Sequence, residues 1–361
     1  MYAIAMSAGF FITILLDGGF IALLQRESAR ASLNIAIEGQ TLSRYAFGYT
    51  LLLVSILILM AIINPFQQDL TTLFALIFAF CPVVLIAQSM SVLRGQGRLA
   101  RDAFLQVATR FLTAFFVVTL ILYGFDSPSS VLFAQGIGGY VVCFVLMFRS
   151  KIKPIFLIPW KIFRVTIPLV AWAIACGLYA RSDLLLCRLF DIPRSDVGEY
   201  GVACRLVEAL QVFGGPVAIV LFRKFRMSQL SIEVSTGKIL NAFYLALFIG
   251  SIICFCAFLF SSTIIPLFFG EQYSASVQLF EVLTIGFIFF LGNTVLFQAF
   301  LALELQRLLM SITVVAAIFN VTLNAIALPI YGIEVCAWIS VLTQLLLLLL
   351  LRFYFLKQKN K

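Results

Sequence analysis

A helix of about 20 mostly apolar residues is long enough to cross the hydrocarbon core of a bilayer. This chain contains eleven such runs. They lie approximately at Tyr2–Leu24, Tyr45–Ile63, Thr71–Leu93, Ala103–Tyr123, Ser130–Phe148, Val165–Phe190, Val197–Phe222, Ile239–Phe260, Ser276–Leu301, Leu308–Leu328 and Gly332–Leu351. In lipid the backbone has no water to bond, so runs of this length fold as hydrogen-bonded spanning helices. The expected fold class is an all-α polytopic membrane protein with about 11 transmembrane helices. Its composition, 63% hydrophobic and 11% charged, lies far from that of soluble domains. The short stretch between Pro329 and Gly332 forces the last two helices into an antiparallel hairpin.

The net charge of +9 is distributed over loops and does not indicate nucleic-acid binding. One alternate set of loops carries 20 of the 25 basic residues, from Arg26, Arg30 and Arg44 through to Arg352, Lys357, Lys359 and Lys361. The other set carries only Arg194, among Asp69, Asp126, Asp191, Asp196 and Glu271. The positive-inside rule makes the first set cytoplasmic, which places the C-terminus inside and Met1 outside. No basic residue precedes Arg26, so the first run does not read as a cleavable secretory signal. The external loops are all short, leaving no soluble domain outside the membrane.

The two halves of the chain resemble each other. Tyr2 aligns with Tyr200, Ala5 with Ala203, Gly18-Gly19 with Gly214-Gly215 and Ala22 with Ala218. Further on, Gln88 is matched by Gln298, Arg98 approximately by Arg307, and Tyr123-Gly124 by Tyr331-Gly332. The order is kept and the offset stays between 196 and 210. The second half has six spans and the first five, so a sixfold parallel repeat requires one more helix before Tyr2. The expectation is a 5 + 6 arrangement, with the first helix of a 12-helix fold missing. The domain reading is an N-terminal bundle over 1–148, a linker over 149–163 and a C-terminal bundle over 164–361. Pro154 and Pro159 break any long helix in the linker, and Trp160 with its neighbouring lysines suits the cytoplasmic membrane interface.

Charges inside the spans are the candidate functional residues. A charge at the centre of a spanning helix costs roughly 2.5–3.5 kcal/mol on insertion scales, so it faces a neighbouring helix or a water-filled space. Between Tyr179 and Pro216 two apolar helices meet at a short turn, Asp191–Asp196, and carry Arg181, Asp183, Arg188, Arg205 and Glu208. Asp183 and Arg205 each lie about eight residues from that turn, a depth that predicts a pair. Arg205 and Glu208 are i, i+3 neighbours on one face. Asp183 and Glu208 have two open readings, helix-stapling ion pairs or functional acids. Elsewhere Asp17, Arg110 and Glu281 lie within spans, and Asn293, Gln298, Asn320, Asn324 and Gln344 suit helix–helix hydrogen bonds.

The four arginines within spans, Arg110, Arg181, Arg188 and Arg205, outnumber the acids near them and suit an anionic ligand. Guanidinium forks bind phosphate oxygens bidentately. The buried acids Asp183, Glu208, Asp17 and Glu281 suit proton or sodium coupling. The chain has no histidine, the commonest general base and transition-metal ligand. All eight cysteines fall in apolar runs and read as small core residues. There is no phosphate-binding G-x-x-x-x-G-K-[ST] loop, no zinc motif and no nucleophile elbow. Neither an enzyme nor a cofactor or metal site is expected.

R-S-D-L-L-L-x-R-L-F at Arg181–Phe190 and V-G-E-Y-G-V-A-C-R-L-V-E-A at Val197–Ala209 resemble a known family. So do Leu16–Phe20, Arg26–Ala29 and Leu267–Tyr273. The chain resembles the O-antigen and polysaccharide-unit flippases, the polysaccharide-transporter branch of the multidrug/oligosaccharidyl-lipid/polysaccharide (MOP) exporter superfamily. The resemblance implies two six-helix bundles around a central cavity in the bacterial inner membrane. It implies translocation of undecaprenyl-pyrophosphate-linked oligosaccharide by alternating access, in O-antigen and lipopolysaccharide biosynthesis. Pyrophosphate binding would then fall to Arg181 and Arg205, with Arg188 and Arg110. The implied partners are the lipid-linked oligosaccharide, inner-membrane lipid and other polysaccharide-assembly proteins. Three alternatives stand beside it: an exporter of another substrate in the same superfamily, an O-antigen polymerase or other membrane glycosyltransferase, and an inactive fragment. The short external loops count against a polymerase.

Overall fold

The computed structural model describes residues 2–31, 38–63, 70–125, 127–150, 153–212, 214–227 and 232–359. Among them the regular structure is helical throughout. The helices are α1 (Tyr2–Asp17), α2 (Phe20–Ala31), α3 (Glu38–Ile63), α4 (Leu70–Gly95), α5 (Leu99–Leu122), α6 (Pro128–Ser150) and α7 (Trp160–Leu189). They continue with α8 (Arg194–Gln211), α9 (Gly214–Met227), α10 (Ile232–Phe269), α11 (Ser276–Ala302), α12 (Gln306–Tyr331) and α13 (Glu334–Lys359). Nine of these are long and apolar enough to cross a bilayer, and ten spans result if the bent pair α1–α2 counts as one. The eleventh expected span, Val197–Phe222, is divided between α8 and α9 and is too broken and too polar to count as a single apolar helix.

The two broken spans are the two that the repeat aligns. α1 and α2 meet at Gly18 (φ 56°) and Gly19 (φ 77°) with a bend of 47°. Both φ values lie in the left-handed region, where a Cβ is disfavoured. Space gives a second reason. A Cβ on Gly18 would fall 2.3 Å from the Tyr49 ring, and one on Gly19 would fall 2.9 Å from the Thr166 carbonyl oxygen. Carbonyls at a helix C-terminus need outside partners, and α3 supplies them. Tyr49 donates its hydroxyl to the Leu15 carbonyl at 3.2 Å, and Thr50 donates to the Leu16 carbonyl at 3.0 Å. In the second half α8 stops before Gly214-Gly215-Pro216, where α9 begins.

The chain forms two compact units, Met1–Ala173 and Ile174–Lys361. In the first, α4 is the central helix and packs against α1, α2, α3, α5 and α6. Its apolar side chains Phe80, Cys81, Leu85, Ile86 and Met90 are buried. Gln88 adds a buried polar tie by donating to the Thr50 hydroxyl at 2.9 Å. At the end of α4, Arg94 Nε bonds both carboxylate oxygens of Asp102 at 3.1 Å. Residues 153–159, outside any helix between α6 and α7, are tied to α3. The Ile155 N–H donates to the Arg44 carbonyl at 3.0 Å, and Arg44 Nε donates to the Lys153 carbonyl at 2.9 Å.

The second unit repeats this plan. Its central helix is α11, the repeat equivalent of α4, which packs against α8, α9, α10, α12 and α13. Two polar ties cross its core. Asn293 on α11 donates to the backbone and side-chain oxygens of Gln344 on α13, each at 2.9 Å. Ser182 on α7 donates to Asn320 Oδ1 on α12 at 2.9 Å, while Asn320 Nδ2 donates to the Thr343 hydroxyl on α13 at 2.9 Å. Asn324 adds a bond of 3.1 Å to the same Asn320 oxygen. The long faces left exposed are apolar, as on α5 (Phe104, Val107, Phe111, Phe115) and α10 (Phe248, Ile252, Phe255, Leu259). Such faces suit contact with lipid chains.

Candidate functional site

The charged stretch of the second unit folds as a helical hairpin. α7 ends at Leu189, Asp191 turns the chain with φ 51°, and α8 starts after Pro193. Proline's fixed φ and missing N–H suit a helix entrance. The hairpin brings Arg181 and Asp183 on α7 alongside Tyr200, Arg205 and Glu208 on α8.

Within this group the charges sort into a dry cluster and a wet one. Asp183 is 4% exposed. Its Oδ2 accepts a short hydrogen bond from the hydroxyl of Tyr200, which is itself fully buried. Its Oδ1 accepts the Leu184 N–H at 2.7 Å. Glu208 lies at the wetter edge, its side chain 38% exposed, and bridges two guanidinium groups. Arg181 Nη2 lies 3.2 Å from Glu208 Oε1, and Arg205 Nη1 lies 3.0 Å from Glu208 Oε2. Arg181 is 17% exposed and Arg205 48% exposed.

This arrangement corrects one expectation. Asp183 and Arg205 do not form the predicted pair: Tyr200 takes the Asp183 carboxylate, and Arg205 turns to Glu208 one helical turn further along α8. Equal depth in the membrane places two residues at one level without giving them one azimuth. Arg205 keeps half its surface accessible, whereas the bond to Asp183 would carry the guanidinium into an enclosed site. The i, i+3 pairing of Arg205 with Glu208 is present as expected.

The remaining candidates are dispersed. Arg188 lies on α7, and its side chain is outside the described residues. Arg110 lies mid-helix on α5 of the first unit, exposed and with no ion-pair partner among the described residues. The Asp17 carboxylate accepts the Ile21 N–H at 2.8 Å and so caps α2 just past the glycine bend. Glu281 accepts a bond of 2.6 Å from the Ser261 hydroxyl, joining α11 to α10. Sequence reasoning missed Tyr200 as the partner of Asp183, and Ser182 and Thr343 as partners of Asn320. The Asn320/Asn324 pair, i, i+4 in an apolar helix, was the signal that a polar cluster lay there. Chemically, the Arg181–Glu208–Arg205 group is two fork-shaped donors held side by side with a net single positive charge. That charge favours an anion over a cation at the site.

The fold has known counterparts. A multidrug resistance MATE family transporter of the MOP superfamily, in an outward-facing conformation, superposes with TM-score 0.78 at 13% identity over 99% of this chain and 88% of that one. A MATE transporter from Vibrio cholerae gives TM-score 0.72 at 14% identity, over 99% of this chain and 88% of that one. The lipid II flippase MurJ in an inward closed conformation gives 0.63 at 13% identity, over 98% of this chain and 87% of that one. No family model matches the sequence, and no curated protein matches it. The chain therefore has the fold shared by MATE transporters and MurJ, built of multiple apolar helices.

Proposed function

We propose that this protein is a flippase for a lipid-linked oligosaccharide, the undecaprenyl-pyrophosphate-linked unit of O-antigen or a related surface polysaccharide. It works by alternating access. The observation that carries the reading is the Arg181–Glu208–Arg205 group, two guanidinium forks at a partly wet site where α7 and α8 run side by side. Pyrophosphate is the part of such substrates that does not vary with the sugar, and bidentate donors suit its oxygens. The structural likeness to a lipid II flippase supports the same class of cargo. On this reading the protein is not an enzyme, lies in the bacterial inner membrane with its C-terminus in the cytoplasm, and meets other polysaccharide-assembly proteins there.

The test is complementation. In a strain lacking its own flippase, surface polysaccharide is measured against membrane-inserted protein. An Arg181→Ala, Arg205→Ala double variant that inserts well should produce almost none. Normal polysaccharide from that variant would remove the arginines from the mechanism.

A second reading, an exporter of another substrate, is favoured by the higher TM-scores to MATE transporters, 0.78 and 0.72 against 0.63. Efflux of cationic dyes from cells expressing the protein, without restored polysaccharide, would select it.

A further inference from the structure

We infer that Glu208 is the resident counter-ion of the anion site, displaced by the substrate's phosphate groups on binding and restored on release. This rests on the anion-binding role proposed above for Arg181 and Arg205. Glu208 spends one oxygen on each guanidinium, Oε1 at 3.2 Å from Arg181 and Oε2 at 3.0 Å from Arg205. It bonds both arginines, which stand on different helices. Without it they would repel one another and turn apart. It therefore sets their spacing while no substrate is bound.

The exposure of Glu208 and Arg205 makes their bond exchangeable, while Arg181, 17% exposed, is the more enclosed of the two arginines. Glu208 is 38% exposed and Arg205 48% exposed, so water screens the pair and replaces either partner at little cost. Asp183, a few residues away in sequence from Arg181, is the contrasting case. At 4% exposed, and bonded to Tyr200 and the Leu184 N–H, it has no wet route out. The hairpin thus holds one fixed acid and one releasable acid.

A pyrophosphate offers each guanidinium two oxygens in the fork geometry, where the bridging carboxylate offers one. It wins the contest when present, and Glu208 then swings into water, away from like charge. A carboxylate tethered beside the site competes at high effective concentration. That competition lowers affinity for the anion and speeds its departure. A transporter must bind well enough to load and weakly enough to unload, the same balance that governs conduction through channels. Removing the competitor should tighten binding and slow turnover together, a combination that a purely structural role for Glu208 does not produce.

The experiment uses the purified full-length protein in detergent, with farnesyl diphosphate as the probe, titrated by calorimetry. Glu208→Gln keeps size but loses the charge and one of the two acceptor oxygens, and should bind about tenfold more tightly than the parent. Glu208→Asp keeps the charge on a side chain too short to span both arginines, and should also bind more tightly, by a smaller factor. Arg205→Gln should bind about tenfold more weakly. In the complementation assay Glu208→Gln should yield less polysaccharide per inserted protein despite its tighter binding. If Glu208→Gln does not stay folded, Glu208→Asp alone decides. Binding by the Glu208 variants that is unchanged or weaker, with Arg205→Gln weakened, would overturn the counter-ion role and leave the anion site standing. Unchanged binding in every variant, Arg205→Gln included, would remove the anion site as well.

Discussion

The Tyr200 hydroxyl donates to the Asp183 carboxylate, and the two residues bury each other where α7 and α8 run side by side. A buried acid with a dedicated donor is a structural commitment, because removing the donor strands the acceptor. Tyr200→Phe should therefore lose about 1–3 kcal/mol of stability, the penalty for an unmet buried polar group. Thermal unfolding of the purified protein reads this directly. Asp183→Asn in the Tyr200→Phe background should cost less than the sum of the two single changes, since both remove one bond.

The same cycle applied to Asp183 and Arg205 should give the opposite answer. The two residues have different partners, so the effects of Asp183→Asn and Arg205→Gln on stability should add within about 0.5 kcal/mol. A coupling of more than about 1 kcal/mol would mean that the pair forms in a conformation other than this one.

Asn320 holds three helices through one side chain. Its oxygen accepts from Ser182 and Asn324 while its nitrogen donates to Thr343. Asn320→Leu should be the most damaging of the asparagine-to-leucine changes in α11 and α12, because it removes three side-chain hydrogen bonds at once. The yield of folded protein by fluorescence-detected size exclusion is the measurement. Asn293→Leu, which frees only Gln344, sets the comparison.

Gly18→Ala and Gly19→Ala should each destabilise by more than the about 1 kcal/mol typical of an unfavourable φ. Each added methyl also meets an occupied space, the Tyr49 ring or the Thr166 carbonyl. Pairing Gly18→Ala with Tyr49→Ala should recover the part of the loss due to the ring and leave the part due to φ. A Gly18→Ala protein with the parent's melting temperature would mean that the bend is not rigidly held.

Most of the helices could be read from the chain because bilayer thickness turns length and apolarity into a single signal. The break in the span around Val197–Phe222 could not, since α8 is stopped by Gly214-Gly215-Pro216 while the apolar character runs on into α9. The repeat was legible in its glycines, and it carries further than sequence matching reached. α4 and α11, equivalent in the alignment, are each the helix around which their unit packs. The site was legible in part. Spacing along one helix gave Arg205 with Glu208, whereas pairing across the hairpin depends on the rotation of one helix against the other. That rotation has no imprint in a nearly uniform apolar pattern, which is why Asp183 was assigned to an arginine and belongs to a tyrosine.

The bend at Gly18-Gly19 also imposes an order on synthesis. The chain emerges from its N-terminus, so α1 and α2 reach the membrane before α3. Until Tyr49 and Thr50 arrive, the Leu15 and Leu16 carbonyls have neither of those donors. Gln88, which completes the bond to Thr50, comes later still. Until then those carbonyls depend on water, and the contacts that hold the bend between α1 and α2 are supplied only as its neighbours insert. The bend is therefore secured late in biogenesis, and a ribosome paused before α3 would leave it without the Tyr49 and Thr50 bonds.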